Sequence, residues 1–319
     1  MDVIFIDGLS FALPLFIIAI GGIYSERAGV TNLALEGLQG FGAFVGALVV
    51  TLLAGVFPEG SQAYFYIAVV ASILGGMVYS MIHALLCIKF RANQVISGVV
   101  VNILAVALTT FLTSQANMAI SGNASNKFQL GVSSRFTVPL LSEIPVIGAL
   151  FKNMYPFELI ILAVALVMWY VLYKTPYGLR LRACGDNPHA VDAAGGSVGK
   201  TRFLAVMVSG ALSGLGGICF AYSISANFSP GIYMGYGYLA IAAMIFGNWK
   251  ILPTLAVCML FGFAKSIGYK LCLLLEMSSN FSDLFMIFPY VLTLLLLVFF
   301  SKHNHPPRAA GEIYDKGKR

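Results

Sequence analysis

The chain has 319 residues, of which 59% are hydrophobic and only 10% are charged, and its formal net charge is +6. A soluble domain carries about 25% charged residues, so this composition cannot cover a water-facing surface of the same size. It excludes a soluble globular protein and predicts an all-α polytopic membrane protein, because lipid then solvates most of the surface. The basic residues lie in short gaps between apolar runs, which argues against a face for nucleic acid.

A membrane-spanning helix needs about 20 predominantly apolar residues. Runs of this kind predict a transmembrane domain over 1–301 with nine spans: 5–24, 33–56, 63–88, 94–116, 156–173, 202–224, 233–248, 251–275 and 284–301. With the N-terminus outside, the inner segments hold 14 of the 19 Lys and Arg residues and the outer loops hold 3. This excess predicts a cytoplasmic C-terminus.

The segments between and within these spans differ in character. Residues 117–155 are predicted to form a polar external loop, 174–202 an internal loop, and 302–319 a cytoplasmic tail without fixed structure. The run 233–248 is short and contains three glycines, which predicts a broken or tilted helix. A crossing is favoured, because without it Lys250 would lie within the membrane or outside. No metal site is predicted, because His303 and His305 of the tail have no third ligand nearby.

The stretch "AGGSVGKT" at 194–201 resembles a phosphate-binding P-loop. A P-loop needs a strand before its glycines, whereas the preceding "GDNPHAVDAA" predicts a short helix. Asp186 or Asn187 would cap that helix, Pro188 suits its first position, and the glycine pair from Gly195 would end it. The sequence therefore predicts no ATPase activity in this chain and interprets the short helix as a lever for a soluble partner.

Polar side chains inside the predicted spans need a reason, because a charged group at the bilayer centre costs about 2.5–3.5 kcal/mol. Asn32, Glu36 and Gln39 are predicted to share one helix face near its cytoplasmic end. They would form either a polar stripe on a cavity or gate, or an interhelical hydrogen-bond cluster. Further pathway candidates are Asn93, Gln94, Ser97 and Asn102 in the fourth span, Asn227 and Phe228 at the external mouth, and Tyr233, Tyr236 and Tyr238 on the broken span.

The tyrosines have two interpretations: rings that stack on a substrate base, or an interfacial aromatic belt. Lys265 lies within the eighth predicted span, and snorkelling to the interface explains it poorly. The Gly42/Gly46 and Gly210/Gly214 pairs are typical of close helix packing. No set of residues has catalytic spacing.

The internal loop and the following span resemble those of ABC importer permeases. The loop reads "TPYGLRLRACGDNPHAVDAAGGSVGKTR" and the span reads "VSGALSGLGGICFAYS". The stretches "YSERAGVTNLALEGLQGFGAF", "FRANQVISGVVVNILA" and "SISANFSPGIYMGYGYLAIAAMIFGNW" are similar to the nucleoside permeases that work with a basic-membrane-protein-A-type lipoprotein. These belong with the ribose and branched-chain amino acid permeases. The resemblance covers Gly21 to Ser266, but "AGGSVGK" has a second Gly and the external loop matches nothing.

The resemblance implies a type II importer-like assembly of two permease subunits, often non-identical, two ATPase domains that carry ATP-Mg, and an external binding lipoprotein. The chain itself would need no cofactor. The resemblance also implies that the short helix is the coupling helix. The residues implied to touch the ATPase are Gly185, Asp186, Asn187, Pro188, His189, Ala190, Asp192, Ala193, Ala194 and Gly195.

Several alternatives stay open at this point. The substrate could be a nucleoside, a sugar such as ribose, or a branched-chain amino acid, since the external protein often sets selectivity. An ion-coupled secondary transporter would need a deep carboxylate, for which Glu36 is the good candidate. An integral-membrane enzyme has no support in the residue pattern.

Overall fold

The computed structural model is almost entirely helical and describes residues 2–58, 60–131, 134–143, 148, 151–275, 287–300 and 304–317. Its helices are α1 (Asp2–Arg27), α2 (Leu35–Leu52), α3 (Ala63–Ala84), α4 (Gln94–Ser121), α5 (Pro156–Lys174), α6 (Pro176–Asp186), α7 (Pro188–Ala193), α8 (Val198–Ile224), α9 (Tyr236–Phe246), α10 (Ile251–Leu274) and α11 (Phe288–Phe300). A π-helical turn, Leu85–Lys89, extends α3. Two short strands, β1 (Phe128–Gln129) and β2 (Asn227–Phe228), pair antiparallel.

Seven of the nine predicted spans are confirmed as helices long and apolar enough to cross a membrane, among the described residues. They are α1 to α5, α8 and α10. The predicted span 284–301 contains α11, which has 13 residues, and its flanks at 276–286 and 301–303 lie outside the described residues. Apolar side chains such as Val78, Leu104 and Leu166 are exposed on α3, α4 and α5, as lipid-facing positions should be.

Helix α1 lies at the centre of the bundle and contacts α5, α8, α9 and α10. Its residues Ile17, Ile18 and Ile20 are fully buried, so this helix has no continuous lipid-facing side. A second packing centre joins α2, α3 and α8, where Ser72 Oγ donates to the Gly214 carbonyl. A Cβ on Gly214 would collide with the Ser72 carbonyl, so the predicted small-residue packing face on α8 is confirmed.

The break predicted within 233–248 is confirmed, and this segment consists of two unlike halves. It starts at β2, which pairs with β1 of the external loop, and descends without helix to Gly235. Helix α9 then runs 11 residues, about 16 Å at 1.5 Å per residue, which is too short to span alone. It ends beside Trp249, whose carbonyl accepts from Arg27 Nε at the cytoplasmic end of α1.

Several helix boundaries differ from the sequence prediction. The internal loop contains α6, which the sequence did not predict, and α8 begins at Val198 rather than at 202. Gly199 therefore lies in the first turn of α8 and does not end a helix. The external loop is tied to the bundle by the pairing of β1 with β2, and a bridge between Phe136 and Met154 joins two parts of the loop itself.

The prediction of an unstructured C-terminal tail is wrong for residues 304–317. The Ala309 amide donates to the Gly185 carbonyl at 2.8 Å, and Arg202 Nη1 donates to the Glu312 carbonyl at 2.8 Å. Ion pairs join Arg91 to Asp315 at 3.4 Å and Lys316 to Asp192 at 3.6 Å. The tail thus forms a strap that joins the internal loop to the residues before α4 and to the first turns of α8. These partners lie far away along the chain, so the composition of the tail could not predict the strap.

Arg202 should control the release of this strap. Arg202→Ala removes the bonds to the Glu312 carbonyl and to the buried Ala28 carbonyl. A hydrogen bond to a charged group is worth about 1.5–3 kcal/mol. We expect trypsin to cut after the exposed Arg308 about tenfold faster in inside-out vesicles, since the strap opens more often. Lys250→Ala is the control, and equal cleavage rates in both variants would contradict the strap.

Candidate functional site

The carboxylate of Glu36 lies at the start of α9 and caps it. Glu36 is the second residue of α2 and is 5% exposed. Its Oε1 accepts from the Gly235 amide at 2.5 Å, and its Oε2 accepts from the Gly237 amide at 2.7 Å. The first amides of a helix have no intrahelical partner, and the helix dipole favours negative charge there. We call these two bonds the Glu36 clasp.

The clasp lies inside the helix bundle, away from the cytoplasmic end of the broken span. Helix α9 leads from Gly237 towards the cytoplasmic side, so Glu36 is about 16 Å from that end of the broken span. Glu36 lies in the first turn of its helix, as the sequence predicts, but that helix begins beside the start of α9 and not beside the end of α1. Residues 28–34, here called the 28–34 linker, connect the cytoplasmic end of α1 to this internal start without forming a helix.

The predicted stripe of Asn32, Glu36 and Gln39 is only partly present. Gln39 lies beside Glu36, and its Nε2 donates to Glu36 Oε2 and to the Tyr233 carbonyl, both at 3.2 Å. Asn32 belongs to the 28–34 linker and not to α2, and its Nδ2 donates to Ser209 Oγ of α8 at 2.9 Å. Asn32 thus ties the linker to α8, because the helix on which its face was predicted does not include it.

Asn102 of α4 holds the internal start of α2. Its Oδ1 accepts from the Gly37 amide at 2.7 Å, and its Nδ2 donates to the Leu33 carbonyl at 2.8 Å. The same Nδ2 donates to the hydroxyl of Tyr238 on α9 at 3.0 Å. One amide side chain therefore joins three segments that meet in the middle of the membrane.

The three candidates at the cytoplasmic end of α4 form hydrogen bonds within α4, to the 28–34 linker and to α3. Asn93 caps α4 by accepting from the amides of Val95 and Ile96. Gln94 Oε1 accepts from the Thr31 amide at 2.7 Å. Ser97 Oγ lies 2.9 Å from Nδ1 of His83, a buried α3 residue that was not predicted to lie here.

The external candidates close the outer end of the broken span. Phe228 is fully buried and stacks against the ring of Phe128 in β1 with centroids 6.3 Å apart. Asn227 is bonded locally, with its Nδ2 donating to the Ser225 carbonyl at 2.9 Å. Phe228 is thus an aromatic plug between the external loop and the bundle, and its ring is not free to meet substrate in this conformation.

Lys265 of α10 is the residue that sequence reasoning could not explain. Its Nζ donates to the Tyr236 hydroxyl at 2.7 Å and lies 3.9 Å from the ring centroid of Phe11. A cation over an aromatic face is attracted to the ring electrons. Lys265 therefore binds the first residue of α9 from one side, while Glu36 binds the amides on either side of that residue.

The cytoplasmic end of α9 is fixed by a third polar contact. The indole Nε1 of Trp249 donates to Glu26 Oε2 at 2.6 Å. Both side chains are buried, and Asn248 and Trp249 adopt positive φ angles of 52° and 53°. The charged pair Glu26-Arg27 at the end of an apolar run could have indicated a polar contact at this position. The partner of Glu26, Trp249, lies 223 positions away along the chain, so the sequence did not identify it.

The predicted coupling helix is confirmed as a helix, α7. Asn187 caps it, with Oδ1 accepting from the Ala190 amide at 3.1 Å, and Pro188 is its first residue. Asp186 instead ends α6. The cytoplasmic surface of this region consists of the exposed residues Asp186, Asn187, His189, Ala190, Ala193, Ala194 and Gly195. Gly185, Pro188 and Val191 are buried beneath it, so the helix is held from below and exposed above.

This geometry defines a class: a polytopic helical membrane protein with a discontinuous span at its centre and a short exposed helix on its cytoplasmic side. The chain belongs to the family described as branched-chain amino acid transport system / permease component, whose model matches residues 4–297. It is thus a multi-pass membrane protein of the ABC permease type.

Named relatives refine the comparison. The guanosine ABC transporter permease protein NupQ of Bacillus subtilis (strain 168) is 37% identical over 98% of this chain and 96% of its own length. The nucleoside ABC transporter permease protein NupC of Lactococcus lactis subsp. cremoris (strain MG1363) is 36% identical over 100% of this chain and 98% of its own. A second Bacillus subtilis protein, guanosine ABC transporter permease protein NupP, is 25% identical over 78% of this chain and 69% of its own.

Removal of the clasp should destabilise the bundle in a graded way. Glu36→Ala leaves the buried amides of Gly235 and Gly237 without their acceptor, and each unsatisfied group costs about 1–3 kcal/mol. Glu36→Gln keeps one acceptor oxygen and should lose less. The measurement is the thermal unfolding midpoint of the purified chain in detergent, where each kcal/mol corresponds to about 2–4 °C.

The matched control is Glu143→Ala, which removes an exposed carboxylate of the external loop. If the unfolding midpoints of Glu36→Ala and Glu143→Ala are equal, the clasp does not stabilise the broken span.

Proposed function

We propose that this chain is a permease subunit of an ATP-driven importer and that its substrates are nucleosides. The observation that carries the proposal is full-length similarity to two permeases whose names state guanosine and nucleoside transport. The discontinuous span agrees with it, because transporters place substrate near the bilayer midplane, where broken helices expose backbone groups. ATP hydrolysis then belongs to a separate subunit.

A second, non-identical permease subunit is part of this proposal. Bacillus subtilis holds two relatives of the chain, NupQ and NupP, which are both named guanosine ABC transporter permease proteins. They differ in their similarity to the chain, which supports a pair of unlike subunits. The ATPase and the external binding lipoprotein are included in the proposal because the internal loop and the separated motifs resemble those of ABC importer permeases.

The contacts provide a route from the ATPase to the clasp. Gly185 lies so close to the backbone of α1 that a Cβ would collide with the Arg27 carbonyl. A push on α7 and α6 is therefore delivered to the point where α1 becomes the 28–34 linker. The linker leads directly into α2 and Glu36, so movement of the coupling region would open or close the clasp.

The clasp is accordingly the gate of this subunit. In the closed arrangement the amides of Gly235 and Gly237 bind Glu36, and Tyr233, Tyr236 and Tyr238 are held by packing or hydrogen bonds. Opening would release these aromatic rings and the Asn102 amide in the middle of the membrane. A nucleoside offers a flat ring for stacking and a polar edge for hydrogen bonds, which such a set of side chains can bind.

Uptake measurements test the substrate and the energy source. The chain is placed in vesicles with its second permease, ATPase and lipoprotein, and uptake of labelled guanosine, adenosine, uridine, ribose and leucine is compared. We expect ATP-dependent uptake of the labelled nucleosides. An excess of unlabelled nucleoside should reduce this uptake, whereas an excess of ribose or leucine should leave it unchanged. Uptake by the chain alone, driven by a proton or sodium gradient, would contradict the proposal, and preferred uptake of ribose or leucine would overturn the substrate.

A bulky side chain on α7 should separate ATP turnover from import. Ala194 is exposed at the end of α7, so Ala194→Trp changes the contact surface without burying the ring in the bundle. We expect nucleoside uptake to fall about tenfold or more, as for truncation of a central interface residue, while the ATPase stays active. Ala124→Trp in the external loop is the control, and normal uptake in both variants would count against α7 as the coupling helix.

A further inference from the structure

An apolar groove opens on the lipid-facing side where the π-helical turn after α3 meets the first turns of α8. It has a volume of about 460 Å³ and its floor and walls include Leu85, Phe203 and Leu204. Leu85 and Leu204 are 39% and 48% exposed, so the groove faces the bilayer and not the bundle interior. Two exposed lysines, Lys89 and Lys200, stand at its cytoplasmic rim.

A cationic cavity of about 210 Å³ adjoins this groove and shares Ile88 and Gly199 with it. Arg91, Arg202 and Lys316 line the cavity, and its lining holds no carboxylate in the part of the chain that the structure describes. Arg91 and Lys316 are each paired with an aspartate of the cytoplasmic surface. Arg202 is 3% exposed, and its Nη2 has no hydrogen-bond partner among the described residues.

The first turn of α8 adds a further site for negative charge between the two lysine side chains. Ser197 caps this helix, and Gly199 and Lys200 follow in its first turn. The leading amides of a helix attract anions through their free N–H groups and the helix dipole. Neither Lys89 nor Lys200 forms an ion pair with the described residues, so both charges are open to a ligand.

We propose that the groove and its cationic rim bind an anionic phospholipid of the inner leaflet. One acyl chain lies in the groove against Leu85, Phe203 and Leu204, and the phosphate lies between Lys89 and Lys200 at the start of α8. A soluble phosphate would use the rim but not the groove, whereas a zwitterionic lipid would use the groove but cancel the charge. Basic sites between helices on the cytoplasmic side are suited to anionic headgroups.

This inference gives the P-loop-like stretch a chemical role that differs from nucleotide binding. The Gly199-Lys200 pair at the start of α8 is still suited to bind a phosphate group, but this phosphate is the headgroup of a membrane lipid. The lipid would hold the start of α8 at a fixed depth, and α8 follows directly after the coupling helix. The site does not depend on which substrate the permease imports.

Binding to the full-length purified chain in mild detergent tests the proposal by native mass spectrometry. Phosphatidylglycerol and phosphatidylcholine with identical acyl chains are titrated in parallel. We expect the wild-type chain to prefer phosphatidylglycerol and the Lys89→Gln/Lys200→Gln variant to lose about fivefold in its affinity per lysine removed. Lys127→Gln in the external loop is the matched control and should bind like the wild-type chain.

Further measurements separate the contribution of the apolar groove to lipid binding from that of the lysine charges. Leu204→Gln should weaken phosphatidylglycerol binding while leaving the thermal unfolding midpoint without lipid unchanged, and glycerol phosphate without acyl chains should not compete at equal concentration. Equal binding of the two lipids, an equal loss in Lys127→Gln, or full competition by inorganic phosphate would each overturn the proposal. Displacement of the lipid by the purified second permease would also overturn it, because the groove would then be a subunit interface.

Discussion

The structure depends on one constraint: a helix that begins inside the bundle, away from water, must find partners for its first amides. Helix α9 begins there and takes its partners from Glu36. Helix α2 also begins there and takes one from Asn102. Because Glu36 belongs to α2 and Asn102 also binds Tyr238 of α9, each internal helix start is held by the other and by α4.

This mutual dependence explains why a contact at the cytoplasmic surface can reach the middle of the membrane. The 28–34 linker is held at Asn32 by α8 and at Thr31 by α4, and its lower end lies against Gly185. It contains no helical hydrogen-bond ladder of its own, so it can move without breaking one. The rigid helices on both sides would then transmit its displacement to Glu36, which is the property that a gate driven from the cytoplasm requires.

The sequence predicts those features that depend on local composition. Apolar length located seven long helices, glycine content identified the broken span, and the Asn187-Pro188 pair located α7. The unpredicted features depend on partners far along the chain: Glu36 meets amides 199 and 201 positions away, and Arg202 binds a carbonyl 110 positions away. The tail has an ordinary polar composition, and contacts with distant residues such as Gly185, Arg202 and Asp192 fix it. Asn32 was misplaced because a polar spacing of three and four fits a helix but does not require one.

The contrast between the P-loop-like stretch and the clasp shows why a motif needs its structural context. Both place helix-start amides next to a negative group, and the physical attraction is the same in each. At α9 the negative group is a side chain of the chain itself, so the result is a closed joint within the membrane. At α8 the helix start lies at the cytoplasmic surface, and the described lining of the adjoining cavity contains no carboxylate, so the proposed anion comes from outside the chain. Depth in the bilayer and the presence of an internal carboxylate therefore decide whether a helix start closes the protein or binds a ligand.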